Sequence, residues 1–182
     1  MKQKKQPGYV YLKVYQYLFI VFDLTEKFCK IHIPGQEHRR TRDQMFQAAR
    51  SSKQNLVEGY THESLKGYIY LAGIAHGSNE ELREDYKDFL RQRGFSIWQK
   101  DHPKLGIKSW VSGACRIIQD GKVPTYPTIP TDPEYAANVI LDLIIKAGYM
   151  LEKLVESLKE KHKTEGGLTE KLYRDRKQYR GY

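Results

Sequence analysis

The sequence predicts an all-α fold, namely an antiparallel up-down four-helix bundle. Apolar residues recur at steps of three and four over long stretches, and helix start and stop signals bracket those stretches. Strand-like alternation bounded by hairpin turns does not occur. Repeated seams of this kind are typical of helices packed side by side. We expect a bundle domain over 1–166, with an insertion at 95–131, and a basic C-terminal tail over 167–182.

The first helix is predicted from Tyr9 to about Cys29, with Pro34 and Gly35 ending it. Its expected inward residues are apolar and mostly aromatic: Leu12, Tyr15, Phe19 and Phe22. The second helix is predicted to begin at a capping box, in which a threonine and a glutamine three residues later satisfy backbone donors reciprocally. That box is Thr41–Gln44, and the seam that follows consists mainly of small residues, which favour close helix approach: Met45, Ala49, Ser52, Leu56 and Gly59.

The third helix is expected from about Ser64 to Arg93, and Gly94 stops it. Two glycines four residues apart, Gly73 and Gly77, predict a second place where a neighbouring helix can approach closely. Its seam is Leu65, Ile69, Ala72, His76, Asn79, Leu82, Tyr86 and Phe89. The last helix begins after an Asp132 N-cap with proline at the first helical position. Gly166 and Gly167 end it, and its buried stripe is Val139, Leu143, Ala147, Leu151, Leu154 and Leu158.

Between the third and fourth of these helices lies the insertion, which contains both tryptophans, Trp98 and Trp110. It also holds four of the seven prolines: Pro103, Pro124, Pro127 and Pro130. A short helix over about Lys104–Gln119 and an extended connector are expected here. Because the segment is rich in aromatic residues, we expect it to pack on the bundle or on a partner.

The formal charge of the 182-residue chain is +9, and it is unevenly distributed. Residues 1–50 have ten basic and four acidic side chains, residues 51–150 have twelve of each, and residues 151–182 have nine and six. Charge concentrated at both ends favours a polyanionic partner. An apolar fraction of 40% excludes a disordered chain, and the sequence predicts neither a membrane span nor a signal peptide. We therefore expect a cytoplasmic protein with two free thiols.

No pattern of catalytic or metal-binding residues is found in the sequence. Glu-x-x-His pairs are missing, histidines are scattered, and Arg116 stands where a phosphate-binding loop before Gly121-Lys122 would need glycine. Acidic residues between Glu80 and Asp88 alternate with Arg83, Lys87 and Arg91 at helical spacing, which is typical of a solvated, self-paired face. The sequence thus predicts a non-enzyme without cofactor or metal.

One polar constellation spans the second and third helices: Arg50, Asn55, Glu58, Ser78 and Glu81. It can be interpreted as a partly buried structural network that fixes helix register. The alternative is that Arg50 faces a ligand or a neighbouring subunit.

The same segments carry a family resemblance. The run from Ala48 to Gly59 and the run from Gly77 to Leu82 resemble the four helix bundle protein family, which includes proteins of 23S rRNA intervening sequences and the accessory variability determinant of diversity-generating retroelements. The insertion and the ending Glu165–Arg174 are similar to a longer subgroup with a "four helix bundle suffix" region. The resemblance implies a homopentamer with a basic surface, and in retroelements a nucleic acid and a reverse transcriptase as partners.

Two functions are therefore expected as alternatives. The first is RNA or DNA binding, in which a basic turn and the tail meet phosphates and Tyr173 and Tyr179 stack on unpaired bases. The predicted contacts are Arg39, Arg40, Arg42, Lys171, Arg174, Arg176, Lys177 and Arg180. A solvated turn and a disordered end are the non-functional interpretations. The second function is an oligomeric scaffold that docks a protein through Trp98 and Trp110, unless these residues pack on their own bundle.

Overall fold

The computed structural model of the chain describes residues 6–105, 108–126 and 129–181. All regular structure in these ranges is helical, without a strand, so the predicted all-α class is confirmed. None of the helices in these ranges has the length and apolar character needed to cross a bilayer. The α-helices are α1 (Lys13–His32), α2 (Arg39–Thr61), α3 (Leu65–Gln92), α4 (Lys108–Gln119), α5 (Pro133–Glu165) and α6 (Leu168–Arg180), and short 3-10 turns cover Gly8–Tyr11 and Pro103–Leu105.

The core lies between the four long helices α1, α2, α3 and α5. α1 and α3 each contact both α2 and α5. Phe28 of α1 meets Tyr86 of α3 with ring centroids 4.9 Å apart, and the Tyr86 hydroxyl donates to Thr25 Oγ1 at 3.2 Å. Buried aliphatic residues of α2 and α5, such as Met45 and Ile144, complete this apolar cluster.

The small-residue seam predicted for α2 is confirmed, because all five of its residues are buried. The hydroxyl of Ser52 donates to the carbonyl of Ala75 on α3 at 2.8 Å, which satisfies this buried polar group across the helix contact. Asp132 is the predicted N-cap of α5, and its carboxylate accepts from the Tyr135 amide at 3.0 Å.

The stripe predicted as the inward face of α1 is wrong. Its aromatic residues are only half-buried, and the buried residues are Val14, Gln16, Leu18, Ile20, Val21, Leu24, Thr25, Phe28 and Cys29. Because α1 is apolar on nearly all sides, its periodicity fits two stripes equally well. The aromatic stripe instead borders α2, where the Lys53 ammonium lies 4.0 Å from the ring centroid of Phe22.

The predicted capping box is also wrong. α2 begins at Arg39, two residues before Thr41, and its N-cap residue His38 makes no side-chain cap. The turn before α2 is held instead by Arg42, whose guanidinium donates to the carbonyl of Ile33 at 2.7 Å and to that of Gly35. A side chain within the helix therefore fixes the turn that a cap would otherwise have fixed.

Close approach to α3 occurs at the predicted Gly59, where an added Cβ would lie 3.1 Å from Cβ of Leu71, but not at the glycines predicted on α3 itself. Gly73 and Gly77 are exposed, and an added Cβ at either would meet nothing within 4 Å. A Cβ on Gly148 of α5 would lie 3.0 Å from Nδ2 of Asn79, which is fully buried on α3. The third and fifth helices thus approach each other because α5 has no side chain at this point.

The insertion packs on the long helices, in line with the first of the two expected alternatives. α4 spans Lys108–Gln119 within the described residues, where a helix over about Lys104–Gln119 was predicted, and it buries Val111, Ala114, Cys115 and Ile118. The connector behind it is fastened by Tyr126, whose hydroxyl donates to Asp23 Oδ2 of α1 at 2.7 Å. Pro127 lies outside the described residues. Both cysteines are free and buried.

Candidate nucleic-acid interface

The tail predicted from charge forms a helix, α6, that buries none of its residues. It begins at Leu168, after Gly166 and Gly167, and Gly166 ends α5 with a φ of 81°. The Glu170 carboxylate accepts from the Gly167 amide at 3.0 Å, and Arg174 donates to the Glu165 carbonyl at 2.7 Å. These two contacts order the junction, so α6 is a defined surface rather than an irregular end.

The charge of α6 is strongly positive and is not neutralised locally. Its two acids are Glu170, which caps the helix start, and Asp175. The backbone amides of Glu170 itself and of Gly167 hold the pKa of the Glu170 carboxyl below its ordinary value. Five basic residues accompany them, and within the described part of the chain none has a carboxylate within 4.0 Å: Lys171, Arg174, Arg176, Lys177 and Arg180.

Several basic residues on the other helices are paired. Lys87 pairs with Glu84 on α3 at 2.8 Å, and Lys153 pairs with Glu156 on α5 at 2.7 Å. Pairs spaced three or four residues apart neutralise one another on a helix surface. The bundle helices also have exposed cations without a carboxylate within 4.0 Å among the described residues, such as Arg50 and Lys66. On α6, five of the 13 residues are such cations, and one of them, Arg174, is bonded to the Glu165 carbonyl.

Two tyrosines accompany these cations. Tyr173 is 67% exposed and Tyr179 is 93% exposed. An exposed aromatic ring between cations can stack on an unpaired base while the cations contact the backbone phosphates. The arrangement on α6 therefore suits a single-stranded polyanion.

The basic turn before and within the start of α2 is less free than the sequence suggested. Arg42 is half-buried and its guanidinium is engaged with backbone carbonyls. Arg39 lies 3.7 Å from Asp43 in an exposed ion pair. Arg40 is exposed, and no carboxylate among the described residues lies within ion-pairing distance of it. Of the three predicted phosphate contacts, Arg42 thus has a structural role and Arg39 is partly neutralised.

The structure does not bring the basic turn and the tail together. Arg42 binds the carbonyl just after α1, and His32, near the end of α1, has Nε2 3.0 Å from the carbonyl oxygen of Pro130, just before α5. The tail follows the opposite end of α5, which is 33 residues long. At 1.5 Å per residue this helix separates the two basic segments by about 50 Å.

The polar residues between α2 and α3 form a smaller network than predicted. Ser51 and Ser78 share a hydrogen bond of 2.9 Å, and Asn55 Nδ2 donates to the Ser51 carbonyl at 2.9 Å. The other three predicted members are exposed and take part in no ion pair within the described residues: Arg50, Glu58 and Glu81. Neutral side chains, rather than the expected charges, therefore set this contact.

The acidic stripe of α3 is paired as predicted, except at Glu81 and Asp85. Arg83 pairs with Glu80 and Arg91 with Asp88. Asp85 has no such partner; burial, and then the charges of Glu81 and Asp88, raise the pKa of its carboxyl to about 6. In the part of the chain that is described, no group of three or more His, Cys, Asp or Glu side chains could hold a metal ion.

Both tryptophans contact their own chain. The Trp98 indole donates to Glu134 Oε1 at 3.2 Å, and its ring stacks on His102 with centroids 4.1 Å apart. Trp110 of α4 meets Tyr126 edge-on at 6.2 Å. Each is partly exposed, so part of both rings is accessible from outside.

Sequence reasoning missed a groove of about 710 Å³ between α1, residues 97–105 and α5. Its wall on α5 includes Asp142, Ile145, Lys146 and Tyr149, with Ile145 47% exposed and Tyr149 61% exposed. These residues lie outside the predicted buried stripe of this helix and resemble a solvated face. The available signal was the pair of large apolar residues, four positions apart, on that face.

The sequence matches no family model, and neither a curated protein nor a solved structure is similar to it. The family resemblance carried by 48–59 and 77–82 therefore stays a prediction. The exposure and charge of α6 are the observations on which a function has to rest.

Proposed function

We propose that the chain is a non-catalytic RNA-binding protein and that α6 is its principal contact surface. The observation that carries this proposal is the set of five basic side chains on a helix without a buried residue, with no neutralising carboxylates among the described residues. Phosphate contacts supply most of the sequence-independent affinity for nucleic acids. None of the five cations is in an ion pair within the described ranges, although Arg174 binds a backbone carbonyl, so the helix is suited to this role.

The exposed tyrosines favour RNA that is unpaired over a duplex. Bases in single-stranded loops and ends are free to stack on aromatic rings, whereas those in a duplex are already stacked. Tyr173 and Tyr179 are flanked by Arg174 and Arg180, so a base and its phosphate can be held together. DNA single strands share this chemistry and are the comparison in the test below.

The proposed architecture is an antiparallel up-down bundle of α1, α2, α3 and α5. Each of these helices contacts two of the others, which supports this arrangement. By the resemblance we also propose membership of the four helix bundle protein family, assembly into a homopentamer, and action in the cytoplasm as an accessory protein of a reverse transcriptase or another retroelement enzyme. Several copies of α6 on one oligomer would raise the affinity for a long RNA.

The test is a titration of a fluorescent single-stranded RNA, and of the matched DNA, at about 50 and 200 mM salt. With a slope of about 0.7 per phosphate contact, five contacts predict a slope of about 3.5 and an affinity loss of about 100-fold over this range. A chain ending after Gly167 should lose most of both the affinity and the slope.

A matched variant controls for charge alone. Three glutamine substitutions on α5, at Lys153, Lys161 and Lys163, remove cations that each have a glutamate partner within 4.0 Å. We expect them to change RNA affinity little, while three substitutions at Arg174, Lys177 and Arg180 weaken it at least tenfold. Affinity that survives loss of α6 would refute the proposed contact. Absence of nucleic-acid binding, with a stable protein recovered through Trp98 and Trp110, would favour the scaffold instead.

A further inference from the structure

The groove beside the insertion is an apolar trough with a buried floor. Leu105 and Leu141 are buried at 7% and 2% exposure, and Ile97, Ile145 and Tyr149 stand exposed at its mouth. Along α5 the groove extends from residue 138 to residue 149, which at 1.5 Å per residue is about 17 Å. Its volume of about 710 Å³ falls within the range of small-molecule sites, about 300–1,000 Å³.

The charges on the groove are predominantly positive. Three lysines line it, and Asp142 is the one acid among the lining residues that the structure describes. Asp142 is bonded to Lys146 in an ion pair. Lys13 and Lys100 have no carboxylate within 4.0 Å in the described ranges, so no ion pair there neutralises them, although the Lys13 ammonium also lies 5.7 Å from the ring centroid of Tyr17.

An unpaired donor lies next to this ion pair. A cavity of about 20 Å³, large enough for one water molecule, adjoins the groove and shares Asp142 and Lys146 with it. Trp110 also lines this cavity, and its buried indole Nε1 has no hydrogen-bond partner among the described residues. An indole N–H can only donate, so this cavity suits a water molecule as acceptor; Trp110 does not line the groove itself.

We propose that the groove binds a single-chain amphiphile with an anionic head group, a long-chain carboxylate. The exposed apolar side chains would cover the alkyl chain, and the lysines would meet the carboxylate. The basic helix α6 of a second copy is a poor occupant, because it has the same sign of charge as Lys13 and Lys100. This site is independent of the RNA contact proposed for α6.

The first experiment is isothermal titration of the full chain with decanoate and dodecanoate, below their micelle concentrations, and with dodecyltrimethylammonium. At about 0.8 kcal/mol per buried methylene, the two added methylenes of dodecanoate should tighten the Kd about tenfold. The cationic amphiphile should bind at least tenfold more weakly than dodecanoate. Absence of dodecanoate binding, or a Kd that ignores the charge of the head group, would overturn the proposal.

Variants locate the site. Ile145→Gln should weaken dodecanoate binding about tenfold, whereas Ile31→Gln, at a residue equally exposed on α1 but outside the groove, should leave it unchanged. Lys100→Gln should weaken dodecanoate binding about threefold, whereas its control Lys66→Gln, outside the groove, should leave the binding unchanged. Equal losses in the groove variant and its control would overturn the assignment, provided that circular dichroism shows both to be folded.

Light scattering distinguishes a second copy as the occupant. If dodecanoate dissociates an oligomer and Ile145→Gln dissociates it as well, the groove is an interface between subunits and the amphiphile proposal is wrong. If the oligomeric state is unchanged in both cases while Ile145→Gln still weakens binding, the groove is a ligand site.

Discussion

Replacing Asp85 by asparagine should stabilise the protein at neutral pH, although an aspartate on a charged helix face is ordinarily well solvated. The carboxyl is half-buried on α3 and lies near Glu81 and Asp88, while the neighbouring cation Arg83 is paired with Glu80. Burial and like charges both disfavour the carboxylate. Asparagine has nearly the same shape and cannot ionise.

The magnitude follows from the pKa. Folding raises the pKa of Asp85 from 3.8 to about 6, so the folded state binds the proton more tightly than the unfolded state. The cost is fully present above pH about 6 and disappears as the pH falls below about 4. Two pKa units correspond to about 3 kcal/mol, and solvent screening of a half-exposed group reduces this to about 1 kcal/mol.

Urea unfolding at pH 7.5 and pH 4 tests this prediction, with the protein concentration held constant. Asp85→Asn should raise the free energy of unfolding by about 1 kcal/mol at pH 7.5 and by nearly nothing at pH 4. Asp43→Asn is the control, because it breaks an exposed pair with Arg39 and should destabilise by less than about 1 kcal/mol. Destabilisation by Asp85→Asn at pH 7.5, or a gain that persists unchanged at pH 4, would refute the reasoning.

Four further substitutions test the packing, each by urea unfolding against the unmodified chain. Gly148→Ala should destabilise the protein by about 1–3 kcal/mol through overpacking. Gly77→Ala, with open space around it, should stabilise it by about 0.5–1 kcal/mol. The same sign for both would contradict the contact of α3 with α5 at Gly148. Tyr126→Phe leaves the Asp23 carboxylate without its 2.7 Å donor and should cost about 1–2 kcal/mol, and an unchanged stability would mean that this bond does not fasten the connector. Asn138→Ala removes three hydrogen bonds, two to residues 96–98 and one within α5, and should lower the free energy of unfolding by about 1–3 kcal/mol. The tryptophan emission should shift to the red. An unshifted emission would show that the insertion stays in place without these hydrogen bonds.

Individual residues show which sequence signals were reliable. The α2 seam could be predicted because small and apolar residues from Met45 to Gly59 occupy one face of an otherwise polar helix. The face of α1 could not, because apolar residues surround it and periodicity alone leaves two choices. Asp85 looks exposed in the sequence, and only the packing around α3 makes its carboxyl half-buried.

The candidate site likewise contains residues that could be predicted from the sequence and residues that could not. The basic residues of the tail were visible in the composition, but their lack of ion pairs was not, because Glu170 and Arg174, and Lys171 and Asp175, are spaced four residues apart, which favours pairing on a helix. The role of Arg42 was not visible, because its guanidinium binds carbonyls seven and nine residues earlier, at a distance set by the turn. The groove was missed because its residues come from α1, the insertion and α5.

The sequence by itself determined the all-α class, the boundaries of α3 and α5 and the location of the surplus charge, because these depend on residues within a few positions of one another. The tertiary structure alone decided which stripe of α1 is inside, that α6 stands free of the core, and that α5 separates the two basic segments by about 50 Å. It also created the groove and the burial of Asp85. These properties depend on contacts between residues far apart in the chain, for which local periodicity contains no information.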